Sequence, residues 1–494
     1  MAPQWSLNST REKPAMKATT TVRAESQSAR MRRLLIPLVG LLLSACALDR
    51  YDPRPLSTES VANAYTARSL NAPELREYIR QHYPSAAEAW PPSRWDPQSL
   101  TLAAFYFNPD LEAARAKFAT AEAATTTAAQ RPNPTLQLPL QRTLNPKDGD
   151  SPWTLGIALD IPIETGGKRD HRIREATHLS SAARFQVANA AWGVRSQLRT
   201  QLLNLWFAGE RTQLLGQQLE LDKRTVDMLE RRLLVGDASP WEVNQQRLAV
   251  MQAQTDLLSA QRDAAAARVQ VATVLGLRAG ALDNVELDLT EFARPFPALP
   301  ADTLRSQALL NRADVQAGLA QYEASQSALQ LEVAKQYPDI HLGPGYTFDQ
   351  GARKLGFDFG GLVLPIFNRN EGPIAEARAR RLEAQAHLQQ LQSQAFGETD
   401  GAIAAYRVTG DIVKQGEAQL AAQSRQLVAT QRAFDIGQSD RLTLTLAQKA
   451  ELAAKLALKD ATFQMQQAVG HLEDAMQRPL AVTALGQDAN SSLK

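Results

Sequence analysis

The 494-residue chain has a single cysteine, Cys46, so no disulfide can close within it and no cysteine cluster can hold a metal. Aromatic residues make up only 6% of it, which argues against a thick globular core and for long helices meeting through narrow Ala/Leu seams. No apolar run reaches the roughly 18 residues that a membrane-spanning helix needs. Charge is balanced as well: of the formal +2, residues 1–45 supply seven Lys/Arg against two Glu, and the remainder is close to −3. That leaves no electrostatic case for nucleic acid. Catalytic motifs are also missing. The six histidines (His82, His171, His178, His341, His387, His471) show neither H-x-x-x-H nor H-E-x-x-H spacing. His171 and His178 sit two helical turns apart, too far to share one ion. Gly166-Gly167-Lys168-Arg169 lacks the first glycine and the hydroxyl residue of a phosphate loop. No Ser/His/Asp set or supported carboxylate pair occurs. The chain therefore reads as a non-enzyme, with no catalytic residues, no cofactor and no metal site.

What is present begins at the N-terminus. Arg30, Arg32 and Arg33 precede the apolar run at 34–43, followed by Ser44, Ala45 and Cys46. A basic region, a short apolar region and small residues make a signal peptide. Leu43-Ser44-Ala45-Cys46 resembles the bacterial lipobox, which implies cleavage before Cys46 and acylation of its thiol, a stable anchor once more than one chain is attached. In such lipoproteins Asp at the next position implies retention in the inner membrane; Ala47 stands here, which implies the outer membrane. Residues 1–30 form an over-long polar leader, and Met31 is the expected start.

The organising stretch is 153–176. Trp153, Leu155, Ile157, Leu159, Ile161 and Ile163 alternate with small or polar residues, so one face of a strand is apolar. A turn at Gly166-Gly167 leads into a proline-free run from Lys168 to Val235, long enough for a helix of roughly 100 Å. Before it, Asn108-Pro109 is suited to open a helix running to Gln130, and 135–141 alternates again. After it, Gly236-Asp237-Ala238-Ser239-Pro240 breaks the helix and opens another, ending near Leu275-Gly276.

The second half repeats the first. Asp110 matches Asp314, Pro134 matches Pro338, Leu159–Ile163 matches 362–366, and Val235-Gly236 matches Ile436-Gly437, at offsets of 201–204 residues in constant order. This is a tandem duplication of helix, strand, strand, long helix, helix. Tyr406, Val413, Leu420, Leu427 and Phe434 recur every seventh residue, a coiled-coil seam whose expected partner is the helix after Gly437, through Leu452, Leu456, Phe463 and Val469. In the second strand pair Phe357-Phe359 loses phase before Leu362-Leu364-Ile366, and a bulge near Gly360-Gly361 is expected to restore it. Four strands cannot close a barrel and an open edge is not viable in lipid, so lipid-embedded strands would need several chains.

On these features the chain resembles the TolC-type outer-membrane efflux channels, specifically the lipidated ones. The resemblance rests on the duplicated order, the strand starts at Asn133-Pro134 and Tyr337-Pro338, the ends at Asp160–Ile163 and Val363–Ile366, and the paired turns at Gly236 and Gly437. It implies a mainly α chain with a small membrane β portion: a homotrimer with a twelve-stranded β-barrel continued by a long periplasmic α-helical barrel. Its implied role is the exit duct of an inner-membrane pump reached through a periplasmic adaptor. The turn at 162–169 is similar to that of the heavy-metal, Czc-like branch. The family's adaptor-docking tips fall on Val235, Gly236, Asp237, Ala238 and Ser239, and on Ile436, Gly437, Gln438, Ser439 and Asp440. A constriction acid falls on Glu242, whereas its second-repeat counterpart is Thr443. The implied divisions are a signal peptide (1–45), an extended lipid-anchored tether (46–100), repeats at 101–294 and 302–480 joined by a Pro-rich link (295–301), and a flexible tail (481–494). The competing reading is a lipid-anchored coiled-coil scaffold or adaptor without a pore.

Overall fold

The structure, a computed structural model, describes residues 50–88, 90–294, 312–360 and 363–480. Cys46, the signal region, the 295–301 link, residues 302–311, Leu362 and the tail lie outside the described residues. The chain divides into two units, one up to Val61 and one from Ala62 onward. In the first, residues 50–57 have no regular structure before α1 (Thr58–Thr66) begins.

The second unit contains the two repeats. Helices α2 (Pro73–His82) and α3 (Pro97–Phe107) precede α4 (Pro109–Ala129), and β1 (Thr135–Gln137), β2 (Leu140–Arg142) and β3 (Trp153–Ile163) follow. The first repeat ends with α5 (Lys168–Leu234) and α6 (Pro240–Val274). The second comprises α7 (Ala313–Ala334), β4 (Ile340–Asp349), β5 (Ala352–Gly360), α8 (Glu371–Asp435) and α9 (Arg441–Met476). At 67 and 65 residues, α5 and α8 are each about 100 Å long. No helix among the described residues is long and apolar enough to cross a membrane.

Residues 62–100 are not an extended tether. Leu70, Leu75, Ile79, Trp95 and Leu100 are almost fully buried against Leu198, Leu202, Val271, Leu275 and Phe292. Their short helices lack a long period, but each presents enough apolar surface to join one core around the middle of α5 and the C-terminal end of α6. That core is the thickest packing in the molecule. Elsewhere the helices meet through Ala-rich seams such as Ala253, Ala260 and Ala267 on α6.

Along its lower half α5 pairs with α9 of the other repeat, and this pairing joins the two helical hairpins. Arg195 and Arg199 reach the buried Glu473 at 3.1 and 3.5 Å. Phe207 stacks on Phe463 at 4.3 Å between ring centroids. Lys459 pairs with Glu210 at 2.7 Å, and Lys449 reaches Asp222 at 2.5 Å. Within the second hairpin, Thr409 meets Met465 and Ser424 meets Glu451 across an antiparallel seam. The five heptad residues are all half-buried, as a narrow seam requires. Phe463 faces the first repeat instead, because its ring finds a stacking partner on α5.

The strands form one antiparallel sheet in the order β1/β2, β3, β4, β5, with β1 and β2 both on the same edge of β3. They are one strand interrupted at Pro139, which has no N–H to donate. Its carbonyl still accepts from Gly156 N at 2.9 Å. A Cβ at Gly156 would lie 2.7 Å from the Pro139 ring, so glycine is required there. A two-residue turn with positive φ at Gln350 and Gly351 joins β4 to β5. The β4–β5 register runs from Asp349↔Ala352 to His341↔Gly360 without a bulge. The bulge expected near Gly360-Gly361 falls partly outside the described residues, which follow β5 only to Gly360. Beyond it Ile366 N bonds back to Leu364 O at 2.9 Å in a tight turn, and both side chains are exposed.

Candidate functional site

Register divides the sheet into two chemically distinct faces. Leu136, Leu155, Ile157, Leu159, Ile161 and Ile163 share one face with Leu342, Tyr346, Phe348, Leu355, Phe357 and Phe359. Many of these large apolar side chains are exposed, Leu355, Phe357 and Phe359 at 73–80%. The opposite face carries Asp160, His341, Asp349, Lys354 and Asp358 among glycines and threonines. Here His341 Nδ1 lies 2.9 Å from Asp160 Oδ1, Thr154 Oγ1 donates to Asp349 at 2.8 Å, and Lys354 donates to Asp349 at 2.7 Å. A sheet that is apolar outside and polar inside suits a barrel wall between lipid and water. Among the described residues both lateral edges, β1/β2 and β5, lack a strand partner.

The turns that join sheet to helix are locked by side chains. Gly166 and Gly167 take φ 66 and 71°, the left-handed region. Lys168, nearly buried, donates to Tyr337 O and Asp339 Oδ1, both at 2.7 Å, and the Thr165 N–H also donates to Asp339. In the second repeat Asn370 adopts the left-handed conformation (φ 61°) and its amide donates to Glu332 O at 2.7 Å. Two different sequences thus launch a long helix from a strand by the same backbone move.

At the far ends of the helices the two tips share one geometry. Gly236 and Gly437, at φ 77 and 75°, end α5 and α8. In each tip the residue after the glycine donates back five residues, Asp237 N to Arg232 O and Gln438 N to Ala433 O, both at 2.8 Å. The glycine N–H donates back three residues, which completes a Schellman cap. Leu234, Val235, Trp241 and Ile436 are left largely exposed.

The acids at the tips do different work. Ser239 caps α6, and Glu242 returns its carboxylate to Ser239 N at 2.7 Å and Oγ at 2.9 Å, closing a capping box. Those bonds, the backbone one first, hold the Glu242 carboxyl below the usual carboxylate range. In the second tip the acid is the cap itself: Asp440 accepts from Thr443 N at 2.7 Å. Bonds from Thr443, then from Arg232 of the first tip, lower Asp440 to about 2. Thr443 therefore marks an exchange of positions. The second repeat keeps its carboxylate three residues earlier, at the cap.

Sequence reasoning found both tips but not the Arg232–Asp440 link or the buried Asp222, which Lys449 and Gln246 hold. No pattern flags a pair that lies more than 200 residues apart. Among the described residues no group of three or more His, Cys, Asp or Glu could hold a metal ion. His171 contacts Gln330 at 3.1 Å and His178 contacts Glu323 at 3.1 Å, each bridging α5 to α7.

A duplicated chain of two-faced strands leading into paired 100 Å-scale helices defines a class: the outer-membrane channels with a β-barrel and a helical barrel. The profile of the family described as "Outer membrane efflux protein" matches residues 104–277 and 304–476, and the chain belongs to that family. It is 28% identical over 255 residues to the cobalt-zinc-cadmium resistance protein CzcC of Cupriavidus metallidurans, covering 51% of this chain and 59% of that one. It is 24% identical to the pyoverdine export outer membrane protein OpmQ of Pseudomonas aeruginosa, covering 65% and 71%. Its fold is that of the outer membrane protein VceC of Vibrio cholerae, at TM-score 0.63 and 20% identity, covering 78% of this chain and 97% of that structure. The chain is an outer-membrane efflux protein whose long helices extend into the periplasm.

Proposed function

We propose that three copies of this chain form the exit duct of a tripartite efflux system, fed by an inner-membrane pump through a periplasmic adaptor. The observation that carries the reading is the two-faced sheet with both edges free, joined by locked turns to α5 and α8. In lipid those edges must be satisfied, and copies meeting edge to edge satisfy them in a twelve-stranded barrel with the polar face inward. Cys46 carries the lipid anchor. The tips at Val235–Ser239 and Ile436–Asp440 receive the adaptor's helical hairpin, with Val235, Trp241 and Ile436 as apolar contacts. Glu242 lies at the periplasmic constriction, where three-fold repetition gives an acidic ring that favours cations, and Asp440 supplies the second repeat's carboxylate. The match to CzcC supports the metal-resistance branch. Relatives named for metal resistance and for pyoverdine export both match this chain in sequence, which supports selection of the cargo by the pump.

The test is single-channel conductance of the purified protein in a planar bilayer, with native mass spectrometry on the same sample. Trimer mass with discrete conductance steps is expected. A monomer without conductance, even after substitutions at Gly236 and Gly437 that loosen the closed end, would instead make the chain a lipid-anchored scaffold.

A further inference from the structure

The apolar face of the sheet carries two charges that a passive duct does not need. Arg353 of β5 pairs across from Phe348, which in turn faces Leu155 of β3. Arg142 of β2 faces Trp153 one row further out, with its guanidinium carbon 5.5 Å from the ring centroid. Every other residue of that face in the paired strands is uncharged, from Leu155 down to Ile163 and from Phe348 down to Ile340. That uncharged stretch rises roughly 26 Å along the strand and about 20 Å once tilted, close to the apolar band of a barrel wall. Both arginines therefore lie at one border of the band, the one away from α5 and α8. With the long helices in the periplasm, this is the outward border.

Neither arginine has an acidic partner among the described residues. Asp349, the carboxylate of the nearest turn, lies on the other face and is taken by Thr154 and Lys354. Asp148 and Asp150, in the loop before β3, form no ion pair with either arginine. The two arginines stand on opposite edges of the sheet, β2 and β5, within about one residue row of the same rim. When copies close the barrel edge to edge, as proposed above, each junction brings one of each together. A guanidinium fork matches a phosphate in two-point hydrogen bonding, and Trp153 sits where an indole meets the lipid–water boundary.

We propose that Arg142 and Arg353 form, at each junction between copies, a binding site for the phosphate of a phosphorylated glycolipid in the outward leaflet. The lipid seats its acyl chains on Leu355, Tyr346 and Ile157, and its headgroup tightens the seam between copies.

The inference rests on the trimeric barrel, and its test separates the two. Native mass spectrometry of the full-length protein would be recorded with diphosphorylated lipid A, with its dephosphorylated form and with inorganic phosphate. The phosphorylated lipid should bind about ten-fold more tightly than the dephosphorylated one. The Arg142→Gln/Arg353→Gln variant should lose that preference, and Arg142→Lys/Arg353→Lys should keep part of it. Arg262→Gln, on an exposed face of α6, should leave it unchanged. Trimer mass and conductance should persist in all variants. A wild-type trimer that binds both lipids equally, or takes up inorganic phosphate as tightly as the lipid, overturns the site while leaving the channel intact. A wild type that neither trimerises nor conducts overturns the channel reading itself.

Discussion

The two tips solve one problem with different residues. Each must reverse the chain after a very long helix and start the next helix without stranding backbone N–H groups. Each ends its helix with a glycine near φ 76° and the same pair of returning hydrogen bonds. They part at the following helix. The first tip divides capping between Ser239 and Glu242, while the second concentrates it in Asp440, which also takes Arg232 from the first. Duplication has preserved the backbone path and let the carboxylate move. The consequence is asymmetric: Glu242 serves its own helix, whereas Asp440 ties the two hairpins together.

Four measurements would break or sharpen that contrast. The largest effect is expected where the hairpins share a buried charge. Lys449→Met leaves Asp222, 2% exposed, without its cation, at a cost of about 3 kcal/mol. Gln423, 201 residues on in the second repeat, has no such duty, and Gln423→Leu should change stability by less than about 0.5 kcal/mol. Urea unfolding followed by circular dichroism compares the two. Next, Gly236→Ala and Gly437→Ala should each cost about 1–2 kcal/mol, because a left-handed backbone penalises any Cβ. A Cβ at either site meets nothing within 4 Å, so strain alone is measured and the two values should agree.

Cap removal should then separate the tips. Ser239→Ala and Asp440→Ala each lose about 1 kcal/mol of capping, and Asp440→Ala should cost more because Arg232 is released as well. The swap Asp440→Ser with Thr443→Glu should restore the cap but not the link. Spin-label distances between the tips would broaden while helicity holds. The smallest effect is on pH. The Asp440 carboxyl lies at about 2 in the fold against an ordinary 3.8. Its contribution is therefore complete above pH 3.8 and fades as pH falls toward 2. The same titration of Asp440→Asn should lack that step.

Much of this was legible in the sequence because strands and helices announce themselves by period. The alternation at 153–163 is the observed β3, and the proline-free run from Lys168 is the observed α5. Gly236 and Gly437 stand at the observed helix ends because only a left-handed residue closes that turn. The failures share a different cause. Leu70, Leu75, Ile79 and Trp95 lie in a Pro- and Trp-rich stretch with no sustained period, and only their contacts with α5 and α6 reveal a core. Leu364 and Ile366 continue an apolar alternation past the end of β5, since side-chain pattern does not report where pairing stops. At Thr443 a residue-for-residue match suggested a lost acid, when the capping chemistry had moved three residues. Tertiary pairs such as Arg232–Asp440 had no local signal at all.

The central claim, that the free sheet edges close on other copies, is tested most directly by cysteine pairs across them. Cys46 is the only native cysteine, so the background is clean. Leu355→Cys would be combined in turn with Leu136→Cys, Leu138→Cys and Leu140→Cys and oxidised in isolated outer membranes. Within one chain β3 and β4 separate the two edges, by roughly 14 Å at normal strand spacing, too far for a disulfide. The account predicts that at least one pair gives a covalent ladder ending at three copies. Folded, membrane-located protein that stays monomeric with every pair would contradict it.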